Sequence, residues 1–186
     1  ELTEAQLAVL YKKGPTDQPA NYRPIALLNI SYKILAIIIH TRIAEVIDER
    51  IDPTQYGFRK HRSTTQPLFI YRRLMELQEA AGLETHTLLL DWEKAFDKVD
   101  HNALQRALER FNIPSKLVGH VMNIYSKPNF MVEIAGIRSK WFPQETGIRQ
   151  GCPLSPYLIV LMTALFFDGH HDLRDNLSPD GPAGLL

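Results

Sequence analysis

A carboxylate stands directly after an apolar, β-branched run in the middle of the chain. The run is Thr85–Leu90 and the acid that follows it is Asp91. This pattern predicts a buried strand that delivers a carboxylate to the edge of a sheet. Carboxylate oxygens suit Mg²⁺, and an adjacent main-chain carbonyl can add a second ligand. Asp91 is therefore a candidate metal ligand, with a structural acid as the alternative. Asp97 or Glu93 could instead be plain surface acids.

Cations flank a turn near the start of the chain. Lys12 and Lys13 precede Gly14, and Arg23 lies in the following segment Asn21–Ile25. Arg grips phosphate oxygens through two parallel hydrogen bonds, while Lys supplies a compact charge. A hairpin here would place cations on both arms, where they could hold a triphosphate. A solvated hairpin tip is the alternative interpretation.

A second basic segment combines aromatic side chains with a helix start. Gln55–Arg59 is followed closely by Arg62–Thr64. Such a combination suits contact with a nucleic-acid backbone and a stacked base. A loop that only caps a helix is the alternative.

The segment Gly147–Pro156 has the most unusual composition. Its two glycines, Gly147 and Gly151, allow the backbone to approach a flat ligand closely, and Gln150 offers both a donor and an acceptor to a sugar or base. A purely architectural loop is the alternative. Cys152 is interpreted as a small buried residue rather than a nucleophile, because no partnered histidine is apparent.

Periodic patterns predict the elements that position these residues. A hairpin is predicted from Ala8–Tyr11 and Pro24–Leu28, and a second hairpin from Met131–Ala135 and Arg138–Phe142. Helices are predicted over Ile30–Ile51, from a Ser63 cap to Gly82, from an Asp100 cap to Phe111, over Ser115–Tyr125, and from a Ser155 cap to Phe167. Residues 169–186 have no periodic pattern and are predicted to be loose; their paired histidines, His170 and His171, are interpreted as incidental.

Composition sets the outer limits. The chain has 186 residues, 45% of them hydrophobic, which excludes a fully disordered protein. Its 21 basic and 21 acidic residues balance, but the bases cluster over residues 53–73 and the acids over residues 84–100. The longest apolar run, Ile34–Ile39, is far short of the roughly 18 residues that a membrane span needs. One cysteine excludes an internal disulfide, and a first residue other than Met predicts a piece of a longer polypeptide.

Taken in order, four stretches resemble the first sequence blocks of reverse transcriptases of the non-LTR, LINE-like retrotransposon type, and more distantly those of group II introns. They are Lys12–Gly14 with Asn21–Ile25, Tyr56–Arg59 with Arg62–Thr64, Asp91–Val99, and Gly147–Pro156. The resemblance runs from about Leu10 to Phe167. Trp92 and Pro67 depart from it, since an aliphatic residue and an alanine are more usual there.

The resemblance implies an α/β (α+β) fold, the fingers and an incomplete palm of a right-hand polymerase without a thumb. Fingers would span residues 1–84, and a partial palm residues 85–110 and 147–168. Residues 111–146 would form a connecting helix and hairpin, and residues 169–186 a loose tail or truncated palm.

The same resemblance implies a role for each candidate residue. Asp91, helped by the main-chain carbonyl of Trp92, would bind metal and serve catalysis. Phe96 would pack under the incoming sugar and exclude a 2′-hydroxyl. Lys12, with Lys13 as the fallback, and Arg23 would hold the triphosphate. Gln150 and Gly151 would shape the nucleotide pocket. Arg59 and Arg62 would lie along the RNA template.

The implied reaction is two-metal phosphoryl transfer with Mg²⁺ ions roughly 3.5 to 4 Å apart, acting on an RNA template, a DNA primer and deoxynucleotides. The family takes further carboxylates from a downstream aromatic-x-Asp-Asp turn, which is missing here, so these residues alone are predicted to be inactive. The rest of a larger polyprotein is an expected partner, and a membrane is not. The compartment stays open, with an intracellular, even nuclear, location in keeping with a retrotransposon. Two alternatives are a non-catalytic RNA-binding remnant that uses Arg59–Arg73, and a decayed reading frame.

Overall fold

A computed structural model describes residues 3–168. The elements in chain order are β1 (Glu4–Tyr11), β2 (Tyr22–Leu27), α1 (Ile30–Ile47), α2 (Thr65–Ala80), α3 (His101–Arg110), α4 (Ser115–Ile124), β3 (Asn129–Ile134), β4 (Ile137–Arg138), β5 (Phe142–Pro143) and α5 (Ser155–Asp168). Helices and strands mix in one α/β arrangement, as the sequence predicts. No helix among these residues is long and apolar enough to cross a bilayer.

One mixed sheet carries the N-terminal hairpin. Strands β1 and β2 pair antiparallel, with Leu10 opposite Arg23, which confirms the first predicted hairpin. Strand β1 also pairs in parallel with β3, where Glu4 faces Asn129. Strand β3 turns back at Gly136 to pair with β4, and it pairs with β5 as well. The sheet therefore joins the first strand of the chain to the hairpin that precedes α5.

The apolar core lies between the sheet and four helices. One stripe of α1 is fully buried, with side chains at successive turns on one face: Tyr32, Ala36, Ile39, Ile43 and Ile47. Helices α3 and α4 pack on each other, α3 also packs on α5, and Leu104 and Leu108 of α3 are buried. The side chains of Leu154, Leu158 and Leu161 are completely inaccessible to solvent. Helix α5 is thus central rather than peripheral, as expected for a helix that is apolar on every side.

The predicted strand at Thr85–Leu90 is wrong. This segment has no regular secondary structure, and Leu88, Leu89 and Leu90 are 81%, 87% and 74% exposed. Among residues 3–168 no strand lies beside it, and a single strand cannot satisfy its own backbone hydrogen bonds. Its side-chain contact with the preceding helix is a hydroxyl pair, Tyr71 and Thr87, at 3.2 Å.

Helix boundaries mostly follow the sequence signals. Asp100 caps α3 by accepting a hydrogen bond from the Ala103 amide at 2.7 Å. Ser63 does not cap α2, because the helix begins after Thr64; instead the Ser63 amide donates to the side chain of Gln66. The predicted loose tail, with His170 and His171, lies outside the described residues.

Candidate active site

The cationic hairpin tip is held by its own hydrogen bonds. Tyr11 donates to the Gly14 carbonyl at 2.7 Å, and Tyr22 donates to the Thr16 carbonyl at 2.8 Å. The two tyrosine rings meet edge to face, with centroids 5.6 Å apart. This arrangement places exposed cations on both arms of the hairpin: Lys12 and Lys13 where β1 ends, and Arg23 on β2. The cationic arms predicted from the sequence are therefore present, and their contact with a triphosphate stays a prediction.

The loop 147–151 joins three of the motifs. Its Gly147 amide donates to the Val99 carbonyl at 2.8 Å, and its Ile148 amide donates to the Phe96 carbonyl at 2.7 Å. On the opposite side, the Ala26 amide of β2 donates to the Gln150 carbonyl at 2.7 Å. Half-buried Phe96 packs against the core. The loop thus ties the segment after Asp91 to the strand that carries Arg23.

Two glycines make this close approach possible. A Cβ atom on Gly147 would lie 2.7 Å from the main-chain oxygen of Asp97, and one on Gly151 would lie 2.8 Å from that of Ala26. Both glycines also have positive φ angles, +87° and +106°, which other residues adopt only with strain. A side chain at either position would push the loop away from a neighbouring main chain.

Arg149 anchors the loop from below. Its side chain is 1% exposed, and its guanidinium donates to the carbonyls of Thr3 at 2.8 Å and Ile124 at 3.4 Å. The guanidinium carbon lies 4.9 Å from the centre of the Tyr32 ring, a cation–π geometry. The Tyr32 hydroxyl donates to the Sγ atom of Cys152 at 3.2 Å, and Cys152 is buried, as predicted. The residues on both sides of Gln150 and Gly151 are therefore fixed in the core.

The side chain of Gln150 also contacts the Asp91–Val99 motif. Its Nε2 atom donates to Oδ1 of Asp97 at 2.9 Å. A cavity of about 60 Å³ lies beside this pair, lined in part by Pro24 and Ala26 of β2. Next to it, the imidazole of His101 lies 2.8 Å from the Gly147 carbonyl. Of the candidate pocket residues, Gln150 lines this cavity, while Phe96 meets the loop through its main-chain carbonyl and Gly151 lies against Ala26.

Arg59 has a structural role that replaces its expected contact with template. It is 8% exposed, and all five of its N–H groups are used inside the protein. They donate to the carboxylate and carbonyl of Asp48 and to the carbonyls of Asp52 and Gln55. Tyr157 of α5 donates to the same Asp48 carboxylate at 3.0 Å. No donor of Arg59 is left for a phosphate.

The hydrogen bonds at Asp48 decide its protonation. Partial burial would raise the pKa of this carboxyl group, but the bonds from Arg59 and Tyr157 outweigh it, so the pKa lies below its usual value. Nearby, burial lowers the pKa of His40, whose ring meets that of Tyr157 edge to face at 4.9 Å. Asp48 and Tyr157 thus join the end of α1 to α5.

The surface of the same loop presents other groups. Phe58 is 62% exposed, with a φ angle of 57° that turns its ring outward while Arg59 points inward. Arg62 lies with its guanidinium carbon 5.4 Å from the centre of the Tyr56 ring and donates to the Pro53 carbonyl. Of the two arginines predicted to follow the template, only Arg62 keeps donors for it.

Asp91 stands apart from these contacts. Its side chain is exposed, and the indole of Trp92 packs edge to face on Phe166, with ring centres 5.1 Å apart. An apolar groove of about 480 Å³ opens beside Trp92, between residues 92–103 and α5. Within residues 3–168 no three acidic, histidine or cysteine side chains group closely enough to hold a metal ion. Taken alone, the described residues do not fit a two-metal centre.

The order and spacing of these motifs have a match among known families. A family model described as reverse transcriptase (RNA-dependent DNA polymerase) matches residues 10–173. The chain belongs to the reverse transcriptase family. Its family resemblance, inferred from the motifs, is thereby confirmed.

Relatives of this reverse transcriptase chain come from retrotransposons. It is 36% identical to the transposon TX1 uncharacterized 149 kDa protein of Xenopus laevis over 84% of this chain and 12% of that protein. It is 30% identical to the RNA-directed DNA polymerase from mobile element jockey of Drosophila melanogaster, over 83% of this chain and 17% of that protein. A structure of apo telomerase from Candida tropicalis, truncated from its C-terminal domain, shares the fold with a TM-score of 0.59 and 11% sequence identity. The match covers 95% of this chain and 40% of the telomerase chain. The chain thus spans less than a quarter of these curated relatives.

Sequence reasoning missed contacts of three residues in this reverse transcriptase chain. Asp97 is exposed, as the surface-acid alternative expects, but it also accepts a hydrogen bond from Gln150 that sequence reasoning did not predict. Asp48 and Tyr157 gave no signal. The hydrogen bond from Tyr157 to Asp48 joins segments far apart in the chain, and the ion pair of Asp48 with Arg59 depends on how the loop between them folds. The interpretation of Glu93 as a surface acid holds, since it forms an exposed ion pair with Lys98 at 3.0 Å.

Proposed function

We propose that this chain forms the fingers and part of the palm of an RNA-directed DNA polymerase encoded by a retrotransposon. The observation that carries the proposal is the loop 147–151, which connects Phe96 and Asp97 to strand β2. A nucleotide bound against this loop would have the cations of the hairpin on one side and Phe96 on the other. That arrangement suits a triphosphate with a sugar behind it.

Each proposed contact has a chemical reason. Arg23 and Lys12, or Lys13 in its place, would neutralise the triphosphate and orient it. Phe96 would lie against the sugar and leave no room for a 2′-hydroxyl, so that deoxynucleotides are selected. Gln150 and Gly151 would shape the pocket wall, since a glycine lets the backbone approach the ligand.

The proposal includes divalent metal ions bound near Asp91. Members of this family generally use divalent metal ions, which neutralise charge as phosphoryl transfer proceeds. Asp91 would supply one carboxylate, with the main-chain carbonyl of Trp92 beside it. Because the sequence contains no Asp-Asp pair to add to this carboxylate, we expect these 186 residues alone to bind nucleotides without polymerising them.

Primer extension and nucleotide binding test the proposal together. The purified chain is incubated with an RNA template, a DNA primer, deoxynucleotides and Mg²⁺, and no extension is expected. Binding of a labelled deoxynucleotide is then expected to weaken about tenfold in Arg23→Ala, since a charge-assisted contact with phosphate is lost. Arg106→Ala, at an exposed position of α3, is the matched control. Extension that depends on Asp91 would refute the expected inactivity, and equal binding by both variants would refute the pocket.

Binding of RNA without catalysis is the second candidate function. Exposed Phe58 and Lys60 stand next to Arg62 on one loop, which offers stacking and positive charge to a single strand. On this hypothesis RNA binding weakens with salt, survives Asp91→Ala and is lost in Arg62→Ala. Binding that is insensitive to salt and to Arg62 would exclude it.

A further inference from the structure

Helix α1 is apolar on two faces. One face is buried in the core, while Ile34 and Ile38 on the other side are 54% and 48% exposed. Arg42 and exposed Val46 continue this outer side toward the end of the helix, because residues four apart lie on the same side of an α-helix. A helix that is apolar on every side is usually covered on every side. The outer face of α1 therefore has the composition of a contact surface.

The same end of α1 forms one wall of a groove, and α4 forms the other. The groove has a volume of about 510 Å³, and its apolar lining consists of Val46, Pro114 and Leu117. Leu117 is half-buried, and the other two side chains are exposed. A concave surface with apolar side chains between two helices suits a peptide segment better than it suits the flat surface of a bilayer.

Positively charged side chains line this groove from both helices. Arg42 comes from α1, and Lys116 comes from α4 together with His120. Within residues 3–168 none of these three forms an ion pair, although Glu45 lies on the same wall as Arg42. Like charges on facing walls repel each other, and a carboxylate between them would replace the repulsion with attraction. The groove thus carries positive charge that its own residues leave unpaired.

We propose that the outer face of α1 and this groove form a docking site for an amphipathic helix of a partner protein that carries acidic residues. The apolar face of that helix packs along Ile34, Ile38 and Val46, in the manner of a helix bound in a groove. Its carboxylates lie between Arg42 and Lys116, where they accept charge-assisted hydrogen bonds from both walls. None of these residues belongs to the proposed nucleotide pocket or to the loop with Arg62, so the interaction goes beyond the proposed function.

Two synthetic peptides and two pairs of charge reversals test the site. One peptide combines leucine at every third or fourth position with glutamate elsewhere, over about 15 residues so that it can form a helix, and the control peptide has lysine in place of glutamate. Binding of each labelled peptide is measured by fluorescence anisotropy. We expect the unaltered chain to bind only the glutamate peptide, and Arg42→Glu combined with Lys116→Glu to weaken that binding at least about tenfold. Arg106→Glu combined with Arg110→Glu, at exposed positions of α3, changes the net charge equally and should alter binding less than about twofold.

The apolar contact has its own variant and control. Ile38→Ser should weaken binding of the glutamate peptide about tenfold without changing any charge, because the side chain no longer buries apolar surface against the peptide. Ile137→Ser, in the exposed turn between β3 and β4, should leave the affinity unchanged. All these side chains are exposed, and urea unfolding of each variant confirms that it remains folded.

Several results would overturn the proposal. Equal binding of the two peptides does so, and so does equal binding by the two doubly charge-reversed variants. A loss caused by charge reversal alone, with no effect of Ile38→Ser, would indicate a general attraction for acids rather than a docked helix. Binding of polyuridylate RNA or of phosphatidylserine vesicles through Arg42 and Lys116, without binding of the glutamate peptide, would assign the surface to a different class of partner. Deoxynucleotide binding should be the same in all variants, so failure of the docking site is distinguishable from failure of the nucleotide pocket.

Discussion

Arg59 and Asp48 form a two-pronged ion pair between a surface loop and the end of helix α1. The Nε atom of Arg59 lies 3.1 Å from one carboxylate oxygen of Asp48, and one of its Nη atoms lies 3.2 Å from the other. The Arg59 side chain is 5% exposed and that of Asp48 35% exposed. With the hydroxyl of Tyr157 on the same carboxylate, the pair holds three segments of the chain together.

Loss of this pair should destabilise the fold. Arg59→Ala leaves Asp48 half-buried without its main partner and also frees the carbonyls of Asp52 and Gln55. We expect the free energy of unfolding to fall by about 2–4 kcal/mol, less than for a fully buried pair because Asp48 reaches solvent. Urea unfolding measures it. Arg72→Ala, at an exposed ion pair with Glu76, should cost far less, because solvent screens the pair. Similar values for the two variants would contradict the structural role of Arg59.

Glycine at position 147 should be irreplaceable for two reasons that can be separated. Ala at Gly147 adds strain from a positive φ angle and overlap with the Asp97 carbonyl, together about 2–4 kcal/mol. Gly136 has a similar φ angle of +79° but open space around it, so Ala there should cost about 1 kcal/mol. Thermal unfolding of the two variants gives the difference. Equal losses would mean that the loop does not press against Asp97.

The prediction of local elements worked where the signal was local. The hairpin of β1 and β2, the Asp100 cap and the continuous apolar helix α5 each follow from residues that are neighbours in sequence. The segment Thr85–Leu90 failed because a strand depends on a partner elsewhere, which its own composition cannot supply.

Stability should fall as the pH is lowered from about 6.5. Burial lowers the pKa of His40 in the folded chain, so the unfolded chain binds a proton first and protonation favours unfolding. The pKa of Asp48 is also lowered in the folded chain. The stabilisation from this carboxylate is therefore fully present above the pKa of an unfolded aspartate and is lost as the pH falls through the pKa of folded Asp48. Urea unfolding between pH 5 and 8 should show the loss of stability that His40 causes as the pH falls, and His40→Gln should reduce this loss. His120→Gln, at an exposed site, should leave the loss unchanged.

The exposed leucines should tolerate polar replacement. Leu89→Ser should change the free energy of unfolding by less than about 0.5 kcal/mol, because this side chain is 87% exposed. Leu158→Ala, in the closed core of α5, should cost about 2–5 kcal/mol. A decrease in the free energy of unfolding above about 2 kcal/mol for Leu89→Ser would contradict the exposed segment and support the buried strand predicted from the sequence.

The candidate site shows the same division between local and distant signals. The motifs identified Gln150, Gly151 and Phe96, and the loop 147–151 contains the first two and bonds to the main chain of the third. They also assigned Arg59 to the template, since an arginine among aromatics indicates nucleic acid until its acidic partner is known. That partner, Asp48, lies at the end of α1, and no spacing rule within the loop connects them.

The parallel pairing of β1 with β3 sets an order for synthesis. Glu4 leaves the ribosome long before Asn129, its partner in the sheet. At roughly 5–20 residues per second, the N-terminal hairpin waits on the order of ten seconds with one edge of β1 open. During that interval β1 exposes unpaired N–H and C=O groups of the kind that recruit strands from other chains. The nascent chain is therefore most exposed to aggregation before β3 emerges, and a chaperone that shields β1 would act in that window.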